Sequence, residues 1–128
     1  MNVITFTILQ DGIPIIYQGQ EQHLNGSYVP VNREAIWLTG YNSTSPLYKL
    51  ITTVNGIRQT AISRSANFVT DKIQAFNIDA NTIVTRKGDA GSQIVGVYSN
   101  LGENGHGYNV ALSMSQTGFT PNERSWRY

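Results

Sequence analysis

The sequence predicts a mixed α/β unit followed by an all-β unit, with the change near residue 68. Three observations support this fold class: a short apolar run at residues 13–17, a helical stripe that begins at residue 46, and short strand-like runs beyond residue 68. The chain has 128 residues, close to the commonest size of one domain. Neither half is complete, because one strand–helix unit cannot close a sheet and four strands make a thin domain.

Composition narrows the range of partners. Charged residues make up 13% of the chain, the net charge is +1, and there is no basic cluster, so the electrostatic footprint of nucleic-acid binding is missing. Cysteine is absent, which excludes a disulfide framework and a thiolate metal site. No apolar run approaches the roughly 20 residues of a membrane helix, and the start resembles no signal peptide. We therefore expect neither nucleic acid nor membrane as a partner.

The first segments are strongly apolar. Residues 3–9 alternate between apolar and β-branched types and, taken alone, could be a strand. The plainer interpretation of this start is the end of a core helix or of a core strand. After a break at Asp11-Gly12, the run at residues 13–17 fits a strand that is buried on both faces. Pro14 fits such a strand only near its start or where no ladder donor is needed.

A long connection follows over residues 18–45. Glycine, asparagine, serine and proline punctuate it, and one short helical turn is expected around residues 33–38. Loops of this length inside a compact domain are usually functional. The connection is therefore the first place to search for a site.

The clearest helix is predicted over residues 46–64. Ser45 is a good N-cap and Pro46 suits the first helical position. Arg58 and Arg64 lie late, where cations suit the helix dipole. Gly56 costs about 1 kcal/mol relative to alanine, which indicates close packing at that point. The apolar residues at helical spacing are Leu47, Leu50, Ile51, Val54, Ile57, Ala61 and Ile62.

Four strand-like runs make up the second half, with glycine-rich turns between the later ones. They are Lys72–Ile78, Thr82–Arg86, Gln93–Tyr98 and Tyr108–Leu112. Their short spacing is typical of an antiparallel β domain. Residues 122–128 carry neither a strand nor a helix signal.

The spacing G-x-P-x-x-Y-x-G-x-E from Gly12 to Glu21 resembles the motif at the eighth barrel strand of the α-amylase family of glycoside hydrolases. The resemblance to the fungal α-amylases runs from about residue 6 to about residue 120. The further segments that carry it are Gln20–His23, Asn32–Glu34, Trp37-Leu38, Gly40-Tyr41, Leu47–Ile51, Arg86–Gly88 and Gly91–Val95.

This resemblance implies a more specific fold. Residues 1–68 would be the last part of a (β/α)8 TIM barrel, with the last strand, a substrate-cleft loop and the last helix. Residues 69–128 would be an incomplete antiparallel Greek-key β-sandwich domain. In such barrels the loops after the strands build the active site, so the connection at residues 18–45 would lie over the sugar-binding cleft.

The resemblance assigns one substrate-binding residue, Arg33, which would contact glucose units. A guanidinium suits this role because it offers several fixed donors to sugar hydroxyls. The alternative is an ordinary ion pair with Glu34 or Asp11. The family places an aspartate where this chain has Val29, so we expect a weakened outer glucose subsite.

Other residues of the motif are expected to shape or support the cleft. None of them is predicted to be catalytic, and Glu21 in particular is a supporting residue in the family. His23 is more simply a hydrogen-bonded loop histidine than a metal ligand. Tyr28, Trp37 and Tyr41 could stack on sugars, although packing is the favoured interpretation of Trp37. The supporting residues are Gly12, Pro14, Tyr17, Gly19 and Glu21.

The catalytic machinery of the resembled family lies on earlier barrel strands. Glycoside hydrolysis needs a pair of carboxylates, and neither these nor the family's calcium ligands match residues of this chain. We therefore expect the chain to lack activity alone, to bind an α-1,4-glucan or maltooligosaccharide weakly at most, and to hold no calcium itself. The resemblance implies an extracellular, starch-degrading enzyme.

Three alternatives remain open. The first is a non-catalytic glucan-binding or structural β module. The second is a piece of a related α-glucan hydrolase or transferase, because those enzymes share the first motif. The third is the product of an incorrect gene model or a pseudogene, with no stable fold. The sequons Asn25-Gly26-Ser27 and Asn42-Ser43-Thr44 fit a secreted protein, but such short patterns often arise by chance.

Overall fold

The computed structural model describes residues 1–102, 104–107 and 109–120. The chain divides into two compact units. Unit 1 comprises Met1–Leu9 and Ile13–Gln59, and unit 2 comprises Gln10–Gly12 and the residues from Thr60 onward.

Unit 1 begins with helix α1, Asn2–Leu9. Of the two alternatives left open for this start, a helix or a strand, the helix is the one that forms. A strand needs a partner for its backbone groups, whereas a helix pairs many of its own N–H and C=O groups internally. The hydroxyl of Thr7 also bonds within the helix, donating to the carbonyl oxygen of Val3 at 2.9 Å. Both residues at the end of α1, Ile8 and Leu9, are buried.

The strand predicted over residues 13–17 is not formed either. These residues have no regular structure, and the only sheet found in the described residues consists of three strands from unit 2. Ile13 is 89% exposed and Ile15 is 79% exposed. A strand of a parallel sheet is stabilised by neighbours on both sides, and unit 1 supplies none in its described part.

Helix α2 spans Pro46–Arg64, as predicted at both ends. The carbonyl oxygen of Ser45 accepts the N–H of Lys49 at 3.0 Å, so Ser45 stands where the helix begins. Val54, within the predicted stripe, is buried. The close packing expected at Gly56 is not found, because Gly56 is exposed and an added Cβ would meet nothing within 4 Å.

Arg58 has a different role from the predicted one. Its side chain is buried, and Nη1 donates to the carbonyl oxygen of Ile8 at 2.8 Å. The last carbonyls of a helix lack partners within that helix. Arg58 therefore satisfies the end of α1 instead of simply complementing the dipole of α2.

Two short 3₁₀ helices interrupt the loop of unit 1, at Gln20–Gln22 and Ile36–Thr39. The second corresponds to the helical turn expected around residues 33–38, shifted towards the C-terminus. A third 3₁₀ helix, Ala66–Val69, belongs to unit 2.

Unit 2 contains an antiparallel sheet of strands β1, Gln74–Asn77, β2, Thr82–Lys87, and β3, Ile94–Ser99. The strands lie in the order β1-β2-β3, so the predicted meander is confirmed for three strands. A short helix, α3, follows at Met114–Thr117.

The fourth predicted strand has no counterpart in the described residues. Tyr108 lies outside them, and residues 109–112 form no strand. A Greek key requires a fourth strand that returns beside the first, and the described sheet has three. The segment 122–128 also lies outside the described residues.

The core of unit 2 centres on Phe68 and Val84, both fully buried. Gly88 makes room for the Phe68 ring, because a Cβ at Gly88 would lie 3.2 Å from the Cδ2 atom of Phe68. Gly88 also has φ +97°, a conformation that favours glycine. The glycine of the Arg86-Lys-Gly88 segment is thus explained by packing and backbone shape.

Candidate functional site

The candidate site is the loop of unit 1, and its first part is a turn built around Gly19. The N–H of Tyr17 donates to Oε1 of Gln20 at 3.0 Å, and the N–H of Gly19 donates to Oε2 of Glu21 at 2.9 Å. Gly19 has φ +93°, and a Cβ there would lie 2.5 Å from Cδ1 of Leu24. Only glycine fits this position without displacing its neighbours.

The two ends of the loop are tied together by a reciprocal pair. Nε2 of Gln22 donates to the carbonyl oxygen of Asn42 at 3.2 Å, and the N–H of Asn42 donates to Oε1 of Gln22 at 2.9 Å. The hydroxyl of Ser45 adds a third tie by donating to the carbonyl oxygen of Glu21 at 2.7 Å. The loop is therefore closed at its base.

Arg33 lies in the middle of this loop on a turn of its own. Its N–H donates to the carbonyl oxygen of Pro30 at 3.0 Å, and the Val29–Pro30 peptide is cis. The neighbouring Glu34 accepts the N–H of Gly26 at 2.7 Å. The backbone around Arg33 is thus held by the loop itself.

The side chain of Arg33 is exposed, and its guanidinium has no hydrogen bond or ion pair within the described part of the chain. The ion pairs considered as alternatives are not formed there. Glu34 is bonded to Gly26, and Asp11 is paired with Lys87 in unit 2. Arg33 therefore presents a full set of donors to solvent.

Aromatic side chains of the loop are also exposed. Trp37 is 67% exposed, so the packing role favoured for it is not found in unit 1. Exposed rings with a polar edge suit contacts with a ligand that has both apolar and polar surfaces. The other exposed aromatic residues of this loop are Tyr17, Tyr28 and Tyr41.

The structure places most of the predicted supporting residues in unit 1. Pro14 is half-buried in the extended segment 13–17, and Gly19 is buried in the turn described above. Gly12 belongs to unit 2, where it has φ +86° and no atom near an added Cβ. Tyr17 and Glu21 contribute to the Gly19 turn through their backbone and carboxylate, respectively.

Sequence reasoning missed a buried polar cluster in unit 2. Lys87 is only 3% exposed, and its Nζ lies 2.5 Å from Oδ1 of Asp11 and 2.6 Å from the carbonyl oxygen of Asp71. The same ammonium lies 5.3 Å from the centre of the Phe68 ring, a cation–π distance. The N–H of Ile73 also donates to the Asp11 carboxylate.

Opposing effects act on the Asp11 carboxyl. Burial raises the pKa of Asp11, while the Lys87 hydrogen bond, the Ile73 N–H and the charges of Lys87 and Lys72 lower it. The net result is a pKa below the usual 3.8, so this carboxylate is held in its ionised form.

Gln10 extends the polar cluster towards the sheet. Its Nε2 donates to Oγ1 of Thr85 at 3.1 Å and to the hydroxyl oxygen of Tyr98 at 2.9 Å. Burial raises the pKa of Tyr98, although the hydrogen bonds with Thr85 and Gln10 lower it in part. Local sequence gave no signal for this cluster, because its members are separated by up to 88 residues.

Unit 2 also has a polar cleft of about 390 Å³. Arg86 is braced beside it, with Nη1 donating to the carbonyl oxygen of Ser115 at 3.0 Å and Nη2 bonded to Oε1 of Gln74. Gln93, only 9% exposed, has no partner for either atom of its amide within the described residues. The remaining charged lining residues are Asp71, Lys72 and Asp89.

The part of the chain that the structure describes contains neither a metal-binding cluster nor a membrane-spanning helix. Among the residues that the structure describes, no group of three or more His, Cys, Asp or Glu side chains could hold a metal ion. The same residues include no helix that is both long and apolar enough to cross a membrane.

One protein-family model matches a large part of unit 2. Residues 75–125 match the family model described as α-amylase, domain C. This match continues past residue 120, where the resemblance was expected to end. The matched region includes β2, β3 and all of β1 except Gln74.

Curated relatives and a solved structure extend this similarity to most of the chain. α-Amylase 1 of Schwanniomyces occidentalis is 43% identical over 123 residues, which are 96% of this chain and 23% of that relative. The α-amylase of Saccharomycopsis fibuligera is 39% identical over 122 residues, 95% of this chain and 23% of the relative. An α-amylase structure from Malbranchea cinnamomea matches with a TM-score of 0.75 and 44% identity, over 81% of this chain and 21% of that one.

Proposed function

We propose that this chain forms part of a glycosidase that hydrolyses internal α-1,4 bonds of starch or glycogen. The basis of the proposal is that the chain belongs to the α-amylase family. Its contribution would be a loop that contacts the glucan. The observation that carries this proposal is the Arg33 guanidinium, which is exposed and unpaired within the described residues on a loop braced by its own hydrogen bonds. Such a group offers several donors to sugar hydroxyls from a backbone that is held in place.

The catalytic carboxylates are assigned to other parts of the enzyme. Both carboxylates in the loop, Glu21 and Glu34, accept backbone N–H groups of glycines and so maintain the loop. Hydrolysis needs one carboxyl group to protonate the leaving oxygen and a second to attack or to activate water. The chain spans 23% of the length of the first two relatives, which leaves most of the enzyme to supply that pair.

The proposed domain organisation follows the same assignment. Residues 1–68 would complete a catalytic (β/α)8 barrel, and residues 69–128 would open a Greek-key β domain. The segment 13–17 forms no strand here and exposes Ile13 and Ile15, which suits a strand that pairs with barrel strands outside this chain. We also propose that the enzyme is secreted. Calcium, which the family resemblance implies, would be held by other parts of the enzyme, because the family's calcium ligands match no residue of this chain.

A segment exchange tests the proposal. Residues 1–120 of this chain would replace the aligned segment of the Schwanniomyces occidentalis enzyme, and starch hydrolysis by the hybrid would be measured. We expect a hybrid that hydrolyses starch, and we expect Arg33→Ala to lower its kcat/KM about tenfold, since one lost charged hydrogen bond is worth about 1.4 kcal/mol or more.

Arg64→Ala is the matched control, because Arg64 is exposed in the last turn of α2. It should leave kcat/KM unchanged. An Arg33→Ala hybrid as active as its parent would exclude the substrate contact. Starch hydrolysis by this purified chain alone would contradict the assignment of catalysis to other parts of the enzyme.

A second candidate function is a non-catalytic glucan-binding module in unit 2. The observation that favours it is the cleft beside Gln93, whose buried amide lacks partners within the described residues and could both donate to and accept from hydroxyls. Calorimetric titration of the chain with maltoheptaose separates the two functions. Loss of binding in Gln93→Leu supports the module, whereas loss in Arg33→Ala supports the loop.

A further inference from the structure

We propose that Asn42 carries an N-linked glycan. Asn42, Ser43 and Thr44 form the acceptor pattern Asn-x-Thr, and all three residues are exposed. The proposal goes beyond glucan hydrolysis and rests on the proposed secretion, since N-glycan transfer takes place in the secretory pathway. It identifies a modification site at the base of the candidate loop.

The three residues are folded into a specific turn. Oδ1 of Asn42 accepts the N–H of Thr44 at 2.9 Å and the hydroxyl of Thr44 at 2.7 Å. The amide oxygen and the hydroxyl are therefore committed to each other. Nδ2 of Asn42, the atom that bears a glycan, has no partner within the described residues.

The proposed transfer is a balanced substitution. Nδ2 attacks C1 of the first sugar of a polyprenyl-diphosphate-linked oligosaccharide, and the N–C1 bond forms as the C1–O bond to the diphosphate breaks. The proton leaves Nδ2 for a base of the transferase, and the polyprenyl diphosphate is the leaving group. The step requires neither an oxidant nor a reductant.

The surrounding structure can carry a bulky group at this position. The backbone N–H and C=O of Asn42 are both bonded to the amide of Gln22, so the loop is held there through main-chain atoms. The glycan would leave from an exposed side-chain nitrogen that takes no part in this pair. Its attachment should therefore preserve the base of the loop.

The second acceptor pattern, Asn25-Gly26-Ser27, provides an internal comparison. Its central residue is half-buried and tied to the carboxylate of Glu34 through the Gly26 N–H at 2.7 Å. A Cβ at Gly26 would lie 3.3 Å from Cβ of Asn32, so the turn is crowded. No hydrogen bond joins the Asn25 and Ser27 side chains within the described residues. We therefore expect higher glycan occupancy at Asn42 than at Asn25.

The experiment is secretion of the full chain from yeast behind a secretory leader. Proteolytic peptides of the secreted chain would be treated in heavy-oxygen water with an amidase that removes N-glycans. Each former glycan site then becomes an isotope-labelled aspartate. We expect the label at Asn42. Thr44→Ala should abolish it, Thr44→Ser should retain it, and Asn25→Gln should leave it unchanged.

Import of the same variants into microsomes during translation in vitro provides a readout that does not depend on folding or secretion. The increase in apparent mass on a gel that marks the Asn42 glycan should be lost in Thr44→Ala and retained in Thr44→Ser and in Asn25→Gln. An unmodified Asn42 in both assays, or a shift that survives Thr44→Ala but is lost in Asn25→Gln, would overturn the proposal. A labelled Asn42 in a chain whose hybrid enzyme is inactive would contradict the proposed function alone.

Hydrogen exchange tests the structural part of the inference. The Asn42 N–H, which is bonded to Gln22, should show the same protection before and after enzymatic removal of the glycan. A large change in its exchange rate would show that the glycan disrupts the base of the loop, which would contradict this part of the inference.

Discussion

The two units of the chain hold their residues in different ways. Unit 2 buries Phe68 and Val84 completely and pairs its strands in a single sheet. Unit 1 has a small core at the end of α1 and leaves large apolar side chains such as Ile13 and Leu38 exposed. Its loop is held by polar contacts from side chains to the backbone instead.

This difference indicates where each unit obtains its stability. Apolar burial is the main favourable term in folding, and unit 2 has this term within itself. Large exposed apolar surfaces are typical of regions that contact another part of a protein. Unit 1 therefore fits the proposal that further barrel strands cover it, whereas unit 2 is expected to be the more protected of the two.

The largest expected effect is the loss of the Phe68 ring. Phe68→Ala should lower the free energy of unfolding by about 3–5 kcal/mol, because the cavity left in a packed core is only partly refilled. Urea denaturation and hydrogen exchange of the β2 amides would measure it. Val69→Ala, at the exposed neighbouring position, should cost less than about 0.5 kcal/mol. Equal effects of the two variants would contradict the assigned core.

The partly buried Lys87–Asp11 ion pair should have the next largest effect. Lys87→Met removes the partner of Asp11 and should destabilise unit 2 by about 2 kcal/mol, less than for a fully buried pair because Asp11 is 29% exposed. The double variant Asp11→Asn/Lys87→Met should recover part of this loss, since no unpaired charge then remains. Purely additive effects in this cycle would show that the two residues are not coupled.

In unit 1, the corresponding test removes the hydrogen bond from Arg58 to the carbonyl oxygen of Ile8. Arg58→Met keeps much of the side-chain volume but leaves the Ile8 carbonyl without this donor, which should cost about 1–2 kcal/mol. Faster hydrogen exchange in α1 and α2, with β2 unchanged, is the expected pattern. Arg64→Met serves as the control on the exposed end of α2. Slower or unchanged exchange in α1 would exclude the proposed role.

The smallest expected effect is a pH dependence of unit 2. The pKa of Asp11 is lowered in the folded state, so its contribution to stability is complete above the usual value of 3.8 and is lost as the pH falls through the folded pKa. Unfolding free energies measured from neutral to acidic pH should therefore decrease more in the parent chain than in Asp11→Asn. Parallel curves would contradict the lowered pKa.

Sequence alone predicted the elements that depend on local signals. Helix α2 follows from Pro46 at its first position and from its apolar stripe, and the three strands follow from short β-prone runs with glycine-rich turns. The strand at residues 13–17 was mispredicted because a strand requires partners elsewhere. Apolar periodicity over so few residues does not reveal whether such partners are present, and for the same reason it left both helix and strand open at residues 3–9.

The candidate site was predicted as a region but not as a geometry. The long loop and Arg33 could be identified from spacing and resemblance. The hydrogen bonds that shape the loop link residues as far apart as Glu21 and Ser45, and nothing local encodes such pairings. The Lys87–Asp11 pair, 76 residues apart, could not be predicted for the same reason.

The reciprocal bonds between Gln22 and Asn42 have one further consequence. These two hydrogen bonds close a loop formed by residues 23–41. The number of residues within the loop can therefore change while the pair that closes it keeps its geometry. Lengthening a flexible loop costs little free energy, since each doubling of its length adds only about 0.6 kcal/mol of closure entropy. Related chains could therefore vary the length of this loop to suit different ligands, while helix α2 begins at the same place.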